Sequence, residues 1–171
     1  FDPEPINVVE LVKSLENDYQ IDVDQKGLVM RTSVQPDIGS LISSRLYVRE
    51  VLQNFITNAI KYTEKGSITI GAVKNSDGDI AFTIKDSGIG ISKADQKMLF
   101  HKFFRSEDFR TRQNNGTGLG LYVTQKLASM IKADISVTSE LNRGSTFMVT
   151  IPNLKMHHEH HDSSTKSQAA S

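Results

Sequence analysis

With 171 residues, 37% of them apolar, the chain has the size of one domain and enough apolar mass for one core. Lys plus Arg and Asp plus Glu each total 20, so the formal net charge is zero, without the basic excess that a nucleic-acid or membrane-surface partner calls for. The absence of Cys excludes disulfides, thiolate catalysis and Cys-ligated zinc, and there is neither a signal peptide nor an apolar run near the roughly 20 residues of a membrane helix.

The chain begins at Phe1 rather than Met and reads as part of something longer, so any membrane anchor would lie outside it. Residues 1–5 are an extended, proline-broken entry. Asn7 followed by Glu10 predicts a capping box, and Val8, Leu11, Val12, Leu15 and Tyr19 then recur at helical spacing. "LVMRTSV" (28–34) reads as a strand. Residues 43–63 read as a long amphipathic helix with an apolar stripe through Val48, Val51, Leu52, Phe55, Ala59 and Tyr62. "SITIGAVK" and "IAFTIKD" alternate as strands joined by a hairpin turn at "NSDGD". Ser92 caps a short helix expected to run to about residue 104. "RSEDFRTRQNNG" has no apolar period and reads as an exposed loop. Residues 119–131 are helical, and "DISVTSE" and "STFMVTI" form a last hairpin. Five strands and three or four helices in mixed order predict an α+β sandwich over residues 1–154. Residues 155–171 are polar and read as a disordered tail.

Three features carry chemistry. The first is "GTGLGL". Its glycines are spaced GxGxG rather than GxGxxG, no strand precedes them, and no GxxxxGK[ST] occurs in the chain, so neither a dinucleotide fingerprint nor a Walker loop is present. Glycines entering a helix N-terminus present free N–H groups to an anion, or simply let loop and helix pack closely; alone, the stretch fits both. The second is "KDSGIGIS", which puts Asp86 at a strand end before Gly88 and Gly90. A carboxylate there can accept from an exocyclic amine, although an ordinary Asp-Ser-Gly turn has the same sequence. The third is a polar stripe on the long helix formed by Glu50, Asn54, Asn58 and Lys61, at spacings of four, four and three. A solvated face is the ordinary reading. Two Asn are mildly costly inside a helix, however, and an amide oxygen suits Mg²⁺ while Lys61 could meet phosphate.

Taken in order, "NFITNAIKYT", "DSGIG", "LFHKFFR", "GTGLGL" and "RGSTF" resemble the N, first glycine, F, second glycine and third glycine boxes of sensor histidine kinases. The resemblance runs from about residue 6 to residue 152. One box is weak evidence; five in the family's order and spacing are specific. It implies the catalytic domain of the Bergerat fold, a two-layer α/β sandwich in which a mixed five-stranded sheet is covered by about three helices. ATP then lies beneath a lid. On this chain, the resemblance gives Asn58 the Mg²⁺ that bridges the phosphates, with Asn54 supporting it and Lys61 contacting phosphate. Tyr62 would pack near the nucleotide. Asp86 would bind the adenine N6 amine, with Gly88 and Gly90 letting the base approach. Phe100, Phe103 and Phe104 would anchor the lid, and Arg105 would reach the γ-phosphate, making Asn58, Lys61 and Arg105 the catalytic set. Gly116, Thr117, Gly118, Leu119 and Gly120 would close over the phosphates, with residues 105–115 mobile without nucleotide. Thr146 would help at the adenine end.

The resemblance also implies what is missing. A histidine kinase needs a phosphoacceptor His on a helical dimerisation domain. His101 falls in the lid region and His157, His158, His160 and His161 in the tail, where "HHEHHD" lacks the HExxH spacing of a zinc site because residue 162 is Asp. The expected partners are therefore an upstream acceptor domain and a response regulator, with no nucleic acid. The parent would be a homodimer, this piece a monomer, and the domain cytoplasmic. Hydrolysing relatives place a Glu one turn before the Mg²⁺-binding Asn, where this chain has Asn54, which is not a general base. The alternatives are a pseudokinase, or an ATPase or interaction module of the same fold.

Overall fold

The computed structural model describes residues 1–102, 104 and 120–154. Within them, strands β1 (Glu4–Asn7), β2 (Val29–Val34), β3 (Ser40–Ser43), β4 (Ser67–Lys74), β5 (Ile80–Asp86), β6 (Asp134–Glu140) and β7 (Gly144–Ile151) alternate with helices α1 (Val8–Gln25), α2 (Arg45–Lys61), α3 (Lys93–Gln96) and α4 (Gly120–Met130). None of these helices is long and apolar enough to cross a membrane.

The expected mixed five-stranded sheet is present, in the order β2-β4-β5-β7-β6. Only β2 and β4 run parallel; the other pairings are antiparallel. Period-two alternation sends Ile68, Ile70, Ile80, Phe82, Ile84, Phe147, Val149 and Ile151 inward. There they share one core with Val48, Val51, Leu52, Phe55 and Ile56 of α2 and Leu11, Val12 and Leu15 of α1. Intervening residues such as Lys85 and Met148 stay exposed, which leaves the outer sheet face to solvent.

The helix ends follow their capping residues. Asn7 accepts from the Glu10 amide at 3.0 Å, starting α1, and Ser44 accepts from the Tyr47 amide at 3.3 Å, starting α2. The helix expected from Ser92 to about residue 104 is much shorter. Ser92 does cap it, but after Gln96 the chain turns through i-to-i−3 bonds from Met98 to Asp95, His101 to Met98 and Phe104 to His101.

The strands β1 and β3 have no counterpart in the sequence pattern. They form a separate antiparallel pair in which Pro5 faces Ile42. Each has four residues, and an edge strand tolerates the missing N–H of Pro5. Asn153 and Leu154 fasten the end of the fold to β3: Asn153 Oδ1 accepts from the Ile42 amide at 2.8 Å, and the Leu154 amide donates to the Ile42 carbonyl at 2.9 Å. The tail, residues 155–171, lies outside the described residues.

Candidate functional site

The polar stripe of α2 is real and only partly solvated. Glu50 is exposed, whereas Asn54, Asn58 and Lys61 are half-buried. Asn54 Nδ2 donates to Thr124 Oγ1 at 3.0 Å, and the buried Thr124 hydroxyl donates onward to the Gly120 carbonyl at 2.9 Å. The middle of α2 is therefore clamped to the first turn of α4, the helix that the glycine stretch enters. Thr124 belongs to none of the sequence motifs, although a Thr four residues into such a helix is placed to bond the i−4 carbonyl. The Asn58 carboxamide makes no hydrogen bond among the described residues, so its oxygen is free to take a ligand.

At the C-terminus of α2, Lys26 Nζ donates to the Ile60 carbonyl at 2.6 Å and the Lys61 carbonyl at 3.0 Å. A cation on the last carbonyls of a helix also complements its dipole. Lys26 thus fixes the turn from which Lys61 and Tyr62 project; a lone Lys after α1 gave no sequence signal for it. Lys61 Nζ sits 5.4 Å from the Tyr62 ring centroid, so ammonium and ring form one surface.

Beyond that turn lies Asp86, at the end of β5. Its Oδ1 accepts from the Gly88 amide at 2.9 Å and from the Ser145 amide at 3.3 Å. Burial pushes its pKa above the ordinary carboxylate value, and the two amide bonds oppose that shift. The second carboxylate oxygen has no hydrogen bond among the described residues. This is a half-buried acceptor held in a fixed orientation.

Two observations bear on the roles expected of residues at this site. The first concerns the glycines, expected to open the way for a ligand. A Cβ on Gly88 would run into the Tyr62 carbonyl oxygen and lie 2.8 Å from Thr63 Oγ1 and 2.9 Å from Asp86 Oδ1. Gly90 has φ of 72°, and its Cβ would collide with the Glu140 carbonyl oxygen. Both glycines thus face protein, and they let the loop seat against α2 and the β6–β7 turn. The second concerns Thr146. Register pairs it with Lys85 and Thr138 on the outer sheet face, whereas Ser145 pairs with Asp86. The hydroxyl at this end of the pocket belongs to Ser145, whose Oγ lies 2.7 Å from Ser139 Oγ. Ser139 Oγ in turn accepts from the Ile91 amide at 2.8 Å, locking the glycine loop to β6. A one-residue slip in a strand reverses its face, and the motif alone did not fix that register.

Leu99 is buried, and Phe100 and Phe104 pack against the core, while His101 is exposed. Phe103, Arg105, Gly116, Thr117, Gly118 and Leu119 lie outside the described residues, as do the loop 105–115 and the four tail histidines. Gly120 opens α4 and is exposed. Among the described residues no three His, Asp or Glu side chains converge on a metal position. The donor set here, a free amide oxygen beside a Lys, fits Mg²⁺ that arrives with phosphate oxygens and not a dedicated protein cage.

The chain matches the family model "Histidine kinase-, DNA gyrase B-, and HSP90-like ATPase" over residues 43–155. It is 35% identical over 155 residues to the aerobic respiration control sensor protein ArcB of Escherichia coli (strain K12), covering 88% of this chain and 20% of that protein. It is 40% identical over 127 residues to the signal transduction histidine-protein kinase BarA of the same strain, covering 71% of this chain and 14% of that protein. The chain thus spans a small part of these relatives. Among solved structures, full-length ShkA in complex with AMPPNP superposes with a TM-score of 0.80 at 23% identity, over 88% of this chain and 31% of that one. The nucleotide-free catalytic domain of histidine kinase ThkA superposes with a TM-score of 0.76 at 22% identity, over 90% and 99%. At these identities the structural likeness concerns the fold.

Proposed function

This chain belongs to the histidine kinase-, DNA gyrase B- and HSP90-like ATPase family, and we propose that it binds Mg²⁺–ATP and donates the γ-phosphate to a histidine on a separate dimerisation domain. The observation that carries this reading is the alignment of groups along α2. A free amide at Asn58, a cation at Lys61 and an aromatic ring at Tyr62 lead to the oriented carboxylate of Asp86. That sequence of groups suits a phosphate chain at one end and an amino-purine at the other. Asn58 would hold a Mg²⁺ that arrives with the nucleotide, and the cation would supply charge neutralisation at the phosphates.

In this reading Asn58 contributes an oxygen ligand to Mg²⁺ and Lys61 pairs with phosphate. Tyr62 packs beside the nucleotide, and Asp86 accepts from the N6 amine. Arg105 would meet the γ-phosphate and residues 116–120 would close over the phosphates. Asn54 plays another part, donating from Nδ2 to Thr124 and so bracing α4. Nothing at position 54 can take a proton from water, which favours transfer over hydrolysis. The dimerisation domain and a response regulator are the partners of this reading.

The test has two arms. Calorimetry with Mg²⁺–ATP should show binding by the wild type and loss of most of the Mg²⁺-dependent affinity in Asn58→Ala. Equal affinities would remove the Mg²⁺ role. Mixing the protein with its own acceptor domain and labelled ATP should label histidine. Phosphate release without labelling would instead make the chain an ATPase.

A further inference from the structure

The glycine loop between β5 and α3 is tied to its surroundings at several points. The Ile89 amide donates to the Tyr62 carbonyl at 3.2 Å, and the Ile89 carbonyl accepts from the Asn142 amide at 2.6 Å. The Ile91 amide donates to Ser139 Oγ at 2.8 Å. A further tie comes from α3. The half-buried Gln96 donates from Nε2 to the Ile91 carbonyl at 2.8 Å and to the Ser139 carbonyl at 3.2 Å. A carboxamide NH₂ carries two protons, and Gln96 gives one to the loop and one to β6. A glutamine serving only its own helix would reach a carbonyl within α3; these partners lie five and 43 residues away in the chain. From Ser139 the connection runs on to the carboxylate. Ser139 Oγ lies 2.7 Å from Ser145 Oγ, and the Ser145 amide is one of the two donors that orient Asp86 Oδ1. The other is the Gly88 amide, at the opposite end of the same loop from Ile91. The orientation of Asp86 therefore depends on loop and strand staying together, and Gln96 bonds to both at once.

We propose that Gln96 is a positioning residue for base selection: it latches residues 88–91 to β6 and so holds the Gly88 and Ser145 amides where they fix Asp86 for an exocyclic amine. The inference rests on the nucleotide reading above and adds to that site a residue that acts through Ile91 and Ser139. Without the latch the loop can part from β6, and the Asp86 carboxylate loses its single orientation. A hydrogen bond from a base amine must then also fix the carboxylate, which weakens it. The phosphate end stands on other supports. Asn58 and Lys61 project from α2, which Asn54 clamps to α4 and Lys26 holds at its last carbonyls. Removing the latch therefore acts on the base and spares the phosphates.

Gln96→Met keeps the side-chain length and removes both donors. Gln96→Lys returns a donor that can serve two carbonyls, as Lys26 Nζ does at the end of α2. In calorimetry Gln96→Met should bind Mg²⁺–ATP about three- to tenfold more weakly. Mg²⁺–inosine triphosphate has the same ribose and phosphates but an acceptor in place of the amine, and its affinity, read by displacement, should change less than about twofold. Gln96→Lys should recover ATP binding to within about twofold of wild type. Ser139→Ala should show the same selective loss, and the double variant Gln96→Met/Ser139→Ala should lose no more than about twofold beyond the weaker single variant, because both changes open one latch. A purely structural Gln96 would lower the melting temperature and leave the preference for ATP over inosine triphosphate unchanged. That result, an equal loss for both nucleotides, a Gln96→Lys variant as weak as Gln96→Met, or losses that simply add in the double variant would each overturn the proposal while leaving nucleotide binding intact. A wild type that binds both nucleotides equally would remove the Asp86 contact on which the proposal stands. A wild type that binds neither would overturn the nucleotide reading itself.

Discussion

Replacing Asp86 by Asn changes one atom and should reverse the base preference of the pocket. Both backbone amides that reach Asp86 fall on Oδ1, from Gly88 at 2.9 Å and Ser145 at 3.3 Å. In Asp86→Asn the carboxamide oxygen keeps those two donors, which turns its NH₂ to the position of the free carboxylate oxygen. That group then faces an exocyclic amine donor to donor. A hydrogen bond to a charged group contributes about 1.5–3 kcal/mol, so Mg²⁺–ATP affinity should fall roughly 10- to 150-fold. A 6-oxopurine presents an acceptor at that place, so Mg²⁺–inosine triphosphate should bind the variant better than the wild type. The nucleotide-free protein responds in the opposite direction. Burial raises the Asp86 pKa, so the native state holds its proton more tightly than the unfolded chain does. Stability from this group is present below the ordinary carboxylate pKa and is lost as pH rises through the elevated native value. Asp86→Asn should therefore melt higher than wild type at pH 7, and the gap should close as pH falls toward 4. Calorimetry with both nucleotides and melting curves across that range test the argument. Wild-type ATP affinity in the variant, or a lower melting temperature at pH 7, would refute it.

Two further substitutions probe the frame around the pocket. Lys26→Met removes the ammonium from the Ile60 and Lys61 carbonyls and should cost about 1–2 kcal/mol in urea unfolding, with weaker ATP binding because Lys61 and Tyr62 loosen; unchanged stability would remove Lys26 from the site's support. Gly90→Ala forces a side chain into left-handed backbone and against the Glu140 carbonyl, so the melting temperature should drop by roughly 5 °C or more. If Gly90 only made room for a base, the variant would melt normally and lose ATP affinity alone.

The sequence places a candidate site residue wherever its position follows from local periodicity. The stripe of Asn54, Asn58 and Lys61 needs only the helical repeat to be placed on one face, and Asp86 needs only the end of an alternating strand. Relations that depend on tertiary contact were not legible. Thr124 gains its role from α4 crossing α2, and Lys26 from α1 ending beside the last turn of α2. Antiparallel register sets Ser145, not Thr146, opposite Asp86, and it is the Ser145 backbone amide that reaches the carboxylate. The β1–β3 pair escaped for a simpler reason: four residues hold too little pattern to distinguish a strand from a loop, and Pro5 argues against one.

The short strand β3 has a mechanical consequence. One of its flanks carries β1, and the other receives Asn153 and Leu154, so the two ends of the fold are moored to the same four residues. With strands about 5 Å apart, those moorings stand roughly 10 Å from each other. Ser44 follows immediately and caps α2, the helix bearing Asn54, Asn58 and Lys61. A pull or twist exerted on either flank thus enters through one hinge post, directly at the root of the helix that carries these candidate ligand-binding residues.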